Sequence, residues 1–155
     1  MTYEIYFKAY SKSENLLALH EAAWLLSEGL TVNKDLKKAI RFCKELINRE
    51  SPFKLAYFLI ADCYKKNNNY DLAIENYYLG IKYFRSLENI NIRIMISDSY
   101  YNIAKCFEML NKYNDALSIY TKITNINYIK RRVKQKAKER ISQIKNMQIF
   151  GICKN

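Results

Sequence analysis

The 155-residue sequence contains only three glycines and one proline. Glycine and proline form most tight turns and interrupt regular structure, so a chain this poor in both lacks the turn residues that a β-rich fold needs. Apolar residues make up 50% of the chain and charged residues 26%, which is the composition of a globular protein. The sequence therefore favours an all-α fold.

Long hydrophobic runs are also absent. No uncharged apolar run approaches the roughly 18 residues that a membrane-spanning helix needs. The N-terminal segment contains Glu4 and Lys8 and lacks the apolar stretch of a signal peptide. We therefore expect a cytoplasmic protein. Residues 2–10 show no clean period, so a short helix and an extended lead-in both stay open.

Residues suited to catalysis or metal binding are few. His20 is the only histidine, so a metal cluster of the usual histidine-rich kind is excluded, and a Ser-His-Asp triad would have to use this residue. It lies in an amphipathic stretch, where a partly buried structural role is the better interpretation. The three glycines are scattered, so there is no glycine-rich phosphate loop. We expect no enzyme activity, no catalytic residue, no metal and no cofactor.

The four cysteines offer no alternative chemistry. Cys43, Cys63, Cys106 and Cys153 form no Cys-x-x-Cys motif and do not cluster with the histidine, which disfavours zinc, a redox dithiol and a disulfide framework. Cys63 and Cys106 occupy equivalent positions of two similar segments. Packing in a core is therefore their predicted role.

These two segments resemble each other at a spacing of 43 residues. The first is LAYFLIADCYKKNNNYDLAIENYYLGIKYF, from Leu55 to Phe84, and the second is SYYNIAKCFEMLNKYNDALSIYTKI, from Ser99 to Ile123. Each has the pattern of two amphipathic helices joined by an Asn-containing turn, with small residues where the backbones cross and large aromatics beside them. The matching pairs are Tyr57 and Tyr100, Ile60 and Ile103, Ala61 and Ala104, Tyr64 and Phe107, Asn68 and Asn111, Ala73 and Ala116, and Tyr77 and Tyr120.

This order of aromatic, apolar, small and aromatic positions resembles the tetratricopeptide repeat. The preceding stretch, GLTVNKDLKKAIRFCKELI, resembles the related Sel-one-like repeat, with Ala39 as its small residue and Phe42 as its aromatic. We therefore predict one domain over residues 1–155. Its repeats are predicted at about 13–50, 52–86 and 92–126.

Helix starts are predicted from residues that favour the N-cap position. Ser13 and Asp35 are the expected N-caps of the first repeat. Ser51, followed by Pro52 at the first helical position, is the expected start of the second repeat. The helix pairs of the second and third repeats are then predicted at about 52–67 and 70–86, and at about 92–110 and 113–126.

Positive charge is concentrated at the C-terminal end of the chain. Residues 128–155 carry nine basic side chains and one acidic one, whereas residues 1–127 carry 17 basic and 14 acidic ones. A capping helix of the kind that closes a repeat array is predicted at about 127–148, and its apolar stripe contains Ile129, Val133, Ala137, Ile141, Ile144 and Gln148. The outer face holds Lys136, Arg140, Lys145 and a predicted basic patch of Lys130, Arg131, Arg132, Lys134 and Lys138.

Three interpretations of the basic patch stay open. It is a solvated cap, a site for an acidic protein partner, or a site for nucleic acid or an anionic membrane, because its excess charge creates a usable field. No aromatic residues are interleaved with the basic ones, which weakens the case for single-stranded nucleic acid.

The resemblance implies a right-handed α-solenoid of three helix pairs plus the capping helix. In this family the first helices of the repeats line a groove for a protein or peptide. The family's groove positions correspond here to Phe58, Asp62, Lys65, Tyr101, Asn102, Lys105 and Glu108. The implied function is non-enzymatic protein–protein interaction, with a chaperone-like protein and a toxin-neutralising immunity protein as candidate roles. A nucleic-acid-binding accessory protein that acts through the basic patch is the alternative.

Overall fold

The structure, a computed structural model, describes residues 2–49, 53–86 and 89–152. Within these residues the chain forms eight α-helices and no β-strand, which confirms the all-α prediction. The helices are α1 (Tyr3–Ser13), α2 (Leu16–Glu28), α3 (Leu36–Asn48), α4 (Ala56–Lys66), α5 (Tyr70–Phe84), α6 (Ile90–Met109), α7 (Tyr113–Asn125) and α8 (Arg131–Ile149). Among the helices described, none combines the length and apolar character that a bilayer crossing requires.

The chain divides into two compact units, Met1–Asn76 and Tyr77–Asn155. The boundary falls within α5, so the first unit contains α1 to α4 and the start of α5, and the second contains the rest of α5 and α6 to α8. The single domain over residues 1–155 and its repeat bounds stay predictions.

In the first unit α2 packs against α1, α3 and α4, and α3 also packs against α4. The small residues Ala22 and Ala23 of α2 are fully buried, which lets neighbouring helices approach α2 closely. The core of this unit consists of Tyr3, Leu19, Ala22, Ala23, Leu25, Leu26, Ala39, Phe42, Cys43, Leu46, Ala56, Leu59, Ile60 and Cys63. These residues recur at helical spacing, so α2, α3 and α4 each bury one apolar face in this core.

The first two helices meet at a different residue from the one predicted. The N-terminal segment is a helix, and Ser13 is the last residue of α1 instead of an N-cap. Glu14 follows with a left-handed φ of 50°. Asn15 caps α2, because its Oδ1 accepts hydrogen bonds from the backbone N–H groups of Leu17 at 3.0 Å and Ala18 at 3.2 Å. The Ser13 prediction was wrong because both Ser and Asn favour the N-cap position, and spacing alone did not separate them.

The next two helix starts had also been predicted. Asp35 caps α3 as expected, since its Oδ1 accepts a backbone N–H of the first turn at 2.9 Å. Ser51 and Pro52 lie outside the described residues. α4 begins at Ala56, later than the predicted 52, and the backbone N–H of Ala56 donates to the carbonyl of Phe53 at 3.0 Å in the turn before it.

The turns that end α4 and α6 have the same geometry. Asn68 and Asn111 are both left-handed, with φ of 59° and 58°, a conformation that asparagine adopts more readily than most residues. The N–H of the residue after each Asn donates to the carbonyl five residues before it, at 2.9 Å in both turns. The hydroxyls of Tyr70 and Tyr113 donate to the two Asn side chains at 2.8 and 3.3 Å. The predicted equivalence of the two segments therefore extends to the hydrogen bonds of their turns.

In the second unit α7 packs against both α6 and α8, and α6 also contacts α8. The predicted apolar stripe of the last helix is mostly buried. Its buried members are Ile129, Val133, Ala137 and Ile144, whereas Ile141 and Gln148 are half-buried. α8 begins at Arg131, later than the predicted 127, so Ile129 reaches the core from the turn that precedes the helix.

Candidate functional site

Three of the predicted groove residues lie on α4, in the first unit. Phe58 is only 5% exposed, so its side chain belongs to the interior. Asp62 and Lys65 are half-exposed, and the Lys65 Nζ lies 3.4 Å from the Asp62 Oδ1. The accessible part of this set is therefore an ion pair and not an aromatic surface.

The other four predicted groove residues lie on α6, in the second unit. Tyr101, Asn102 and Lys105 are half-exposed, whereas Glu108 is buried. The Tyr101 ring contacts the Tyr120 ring edge-on, with 5.6 Å between centroids. The outward face of α6 thus presents an aromatic ring, an amide and an ammonium group beside a buried carboxylate.

Glu108 is the centre of a polar cluster that joins three helices. Its carboxylate accepts hydrogen bonds from the Tyr120 hydroxyl of α7 at 2.6 Å and from the Arg140 Nε of α8 at 3.2 Å. The Arg140 Nη2 donates to the second carboxylate oxygen, and the Lys105 Nζ lies 3.3 Å from the same oxygen. We call Lys105, Glu108, Tyr120 and Arg140 the Glu108 cluster. A buried carboxylate requires such partners, because an unpaired charge in the interior is strongly unfavourable.

The protonation states in the Glu108 cluster follow from its contacts. Burial raises the pKa of the Glu108 carboxyl, but the hydrogen bonds from Arg140 and Tyr120 and the charge of Lys105 outweigh it, so the net shift is downward. Burial and the bond to Glu108 raise the pKa of the Tyr120 phenol. At neutral pH the carboxylate is therefore ionised and the phenol is protonated, which suits a donor–acceptor pair.

The position predicted for Arg140 was wrong. It was assigned to the outer polar face of the last helix, but its side chain is only 27% exposed and its guanidinium binds Glu108. A signal was present, because Arg140 lies three residues after Ala137 and four before Ile144, both on the buried stripe. Because Arg140 is charged, it was placed on the polar face in spite of this spacing.

The residues of the basic patch are mostly exposed. Lys130, Arg131, Arg132 and Lys138 are exposed, and Lys134 is half-exposed. None of the five forms an ion pair with any residue that the structure describes. The apolar side of α8 faces the core, so the patch is the outer surface of a helix that is packed on one side only. The partner of this surface, and that of the α6 face, stay predictions.

The cysteines and the histidine have the surroundings of structural residues. Cys43, Cys63 and Cys106 are buried, and none of them forms a disulfide with another described residue. Burial raises the pKa of Cys43 well above its ordinary value and that of Cys63 to about 12. The thiols of Cys43 and Cys63 are therefore protonated and unreactive at neutral pH. Cys153 lies outside the described residues.

His20 is half-buried, and its ring centroid lies 5.1 Å from that of Phe53. Its Nδ1 is buried without a hydrogen-bond partner in the described part of the chain, and the Glu21 carboxylate lies 3.6 Å away. Burial lowers the pKa of His20 more than Glu21 raises it. A neutral, packed imidazole agrees with the predicted structural role.

Two segments of the chain match models of the tetratricopeptide repeat, residues 55–86 and residues 98–128. A comparison with curated proteins gave no match. Among solved structures, the crystal structure of MamA is similar, with a TM-score of 0.64 and 13% sequence identity over 97% of this chain and 88% of that chain.

These similarities support some of the predictions made from the sequence and leave others untested. The matched segments support the tetratricopeptide repeat family and a protein–protein interaction module, and proteins built from such repeats are generally non-enzymatic. Neither segment covers residues 13–50, so the Sel-one-like character of the first repeat stays a prediction. At 13% identity, the similarity to MamA shows the all-α fold alone.

Proposed function

We propose that this chain, in which two tetratricopeptide repeats are matched, binds a partner protein or peptide through the outward face of α6. One observation carries the proposal: Tyr101, Asn102 and Lys105 are half-exposed on the first helix of a matched repeat. The first helices are those through which the family binds its partners. The Glu108 cluster fixes α6 against α7 and α8, which pre-organises the face and reduces the entropy that binding costs.

The chemistry of the face indicates what kind of partner it suits. Lys105 is already paired with Glu108, so little net charge is presented, and a site for an isolated carboxylate is disfavoured. The Tyr101 ring offers apolar area with a hydroxyl at its edge, a combination that is common in binding hot spots. A folded partner or a peptide of mixed polarity fits this surface better than a strongly charged one.

A photo-crosslinking experiment tests the proposal. A photoreactive phenylalanine at position 101 should capture a protein from the native host, and the same group at the exposed Tyr83 of α5 serves as the matched control. The captured protein is then purified and its affinity measured by calorimetry. We expect Tyr101→Ala to weaken binding about 30-fold, or roughly 2 kcal/mol, as for an aromatic hot spot. Unchanged affinity, with an unchanged melting temperature, would reject this face as the binding site.

The identity of the captured protein separates the two candidate roles. A secreted substrate supports a chaperone-like role, and a toxin whose activity is lost in the complex supports an immunity role. The alternative, a nucleic-acid-binding accessory, requires RNA or DNA binding at physiological salt that depends on the basic patch.

A further inference from the structure

The outer face of α8 combines a line of cations with an exposed apolar end. Arg131, Lys138 and Lys145 are exposed and recur every seven residues, which keeps them on one line along the helix. We call these three residues the basic ridge. Ile149 lies eighteen residues after Arg131, or five full turns, and so continues the same line about 27 Å away.

Three large apolar side chains form the end of this line. Ile149, Phe150 and Ile152 are 77%, 76% and 70% exposed, and we call them the apolar tip. Single exposed apolar residues scattered over a surface are ordinary, whereas here three lie within four consecutive residues, and concentrations of exposed apolar surface more often mark interaction sites.

Backbone hydrogen bonds fix the turn that carries the apolar tip. Gly151 is left-handed, with φ of 67°, and the N–H of Ile152 donates to the carbonyl of Met147 at 2.8 Å. The N–H of Gly151 donates to the carbonyl of Gln148 at 3.1 Å. These bonds form a Schellman motif. The apolar side chains therefore extend from a fixed turn, and nothing in the described residues covers them.

The three residues of the basic ridge form no ion pair within the described part of the chain, in contrast to Arg140, which binds Glu108. The one acidic residue of α8, Glu139, accepts a hydrogen bond from Gln135 at 3.0 Å. The ridge therefore presents unbalanced positive charge beside the apolar tip.

We propose that the basic ridge and the apolar tip together dock an acidic segment of a partner protein that runs along α8. Its carboxylates pair with the ridge, and large apolar side chains at one end of the segment cover the tip. This inference rests on the proposed function, that the chain binds a protein, and adds a second surface and the chemistry of the partner. Charge complementarity supplies fast association, and the tip supplies apolar area that leaves water on binding.

Three other occupants agree less well with this surface. A second copy of the chain would place like charges opposite the ridge. Nucleic acid would use the cations but leave the apolar tip in water. A helix that lies in a membrane surface buries a continuous apolar face, but the apolar face of α8 is already packed in the core through Val133, Ala137 and Ile144.

A peptide-display selection on the full chain tests the proposal. Random 20-residue peptides are selected at 150 mM salt, and the enriched sequences are tested against three variants. The ridge variant is Arg131→Glu with Lys138→Glu and Lys145→Glu, and the tip variant is Ile149→Ser with Phe150→Ser. The matched control, Lys34→Glu with Lys37→Glu and Lys44→Glu, changes the net charge equally at exposed positions of the first unit. Melting curves verify that each variant folds.

We expect the enriched peptides to combine Asp or Glu with a cluster of large apolar residues. Their affinity should fall at least tenfold with the ridge variant and with the tip variant, and change less than threefold with the control. Peptides that respond to Tyr101→Ala but to neither α8 variant would overturn this inference and leave the proposed function intact. A selection that enriches no peptide would overturn this inference, whereas the proposed function is tested separately by the crosslinking at position 101.

Parallel measurements examine the other occupants. Binding to vesicles that contain phosphatidylserine and to a duplex DNA is measured at the same salt concentration. Sedimentation of the chain alone measures self-association. Ridge-dependent binding to vesicles or DNA that exceeds the affinity of every selected peptide would overturn the proposal. Tip-dependent self-association would do the same.

Discussion

The first helices of the two matched repeats carry an ion pair at equivalent positions but in opposite order. In α4 the acid comes first, and Asp62 lies 3.4 Å from Lys65. In α6 the base comes first, and Lys105 lies 3.3 Å from Glu108. Lys65 of α4 and Glu108 of α6 occupy equivalent positions, and their side chains are 31% and 7% exposed. The same repeat position therefore holds a partly exposed lysine in α4 and a buried carboxylate in α6.

The helix dipole explains why the order of charges in α6, base before acid, requires additional stabilising partners. The C-terminal end of a helix carries partial negative charge, so an acid that precedes its base agrees with the dipole and the reverse order opposes it. Glu108 is next to the last residue of α6, where its charge faces that negative end. Arg140 and Tyr120 offset this cost from two neighbouring helices. A repeat position can thus change its charge where another helix supplies the compensating group.

Removing Arg140 should have the largest effect, because it leaves Glu108 buried without its main partner. Breaking a buried pair costs about 3–5 kcal/mol, and the partial exposure of Arg140 reduces this, so we expect a loss of about 2–3 kcal/mol for Arg140→Ala. Urea unfolding followed by circular dichroism measures it. Lys145→Ala, at an exposed position of the same helix, is the control and should change the free energy of unfolding by less than about 0.5 kcal/mol. Equal losses in the two variants would mean that the Glu108 cluster contributes nothing.

Overpacking should affect the two repeats alike. Ala73 and Ala116 are equivalent and fully buried, so Ala73→Leu and Ala116→Leu should each lower the free energy of unfolding by about 1–3 kcal/mol. Ser118→Leu, at an exposed position of α7, is the control for added volume. If either alanine accepts leucine without loss, the two positions are not equivalent in packing.

The features that the sequence predicted well are the local ones. The turns at Asn68 and Asn111, the buried alanines and the apolar stripe of α8 all follow from residue type and spacing within one or two helices. Such signals are read directly from periodicity. The start of α2 was misplaced because two good N-cap residues, Ser13 and Asn15, lie almost side by side.

The features that the sequence did not predict are non-local. Glu108 and Arg140 are 32 residues apart, and no pattern within α6 or α8 pairs them. Charged residues were assigned to outer faces by default, which misplaced Arg140. Phe58 was assigned to a groove from its position in the repeat, yet it is buried. The register between a helix and its second neighbour along the chain decides such cases, and spacing within one helix does not contain it.

The Glu108 cluster should also contribute to the pH dependence of stability. The pKa of Glu108 is lowered from 4.5 in the folded chain, so its contribution is complete above that value and is lost as pH falls through the folded pKa. In Glu108→Gln the free energy of unfolding should therefore fall less steeply as the pH is lowered. The difference from the parent chain should be smaller than the loss caused by Arg140→Ala. Unfolding free energies at stepwise lower pH measure this. An unchanged acid slope in Glu108→Gln would contradict the downward shift.

The smallest expected effect comes from giving α4 the charge order of α6. Asp62→Lys with Lys65→Glu keeps the net charge and the pair, but places the acid nearer the C-terminal end of α4. Because both positions are partly exposed, the reversed pair should cost only a few tenths of a kcal/mol, and 0.5 M salt should halve that cost. Double-mutant cycles at low and high salt measure the coupling, with Lys65→Met as the control that removes the pair. A loss above about 2 kcal/mol would show that the α4 pair is more than a surface contact, and a gain would show that the dipole does not set the order of these charges.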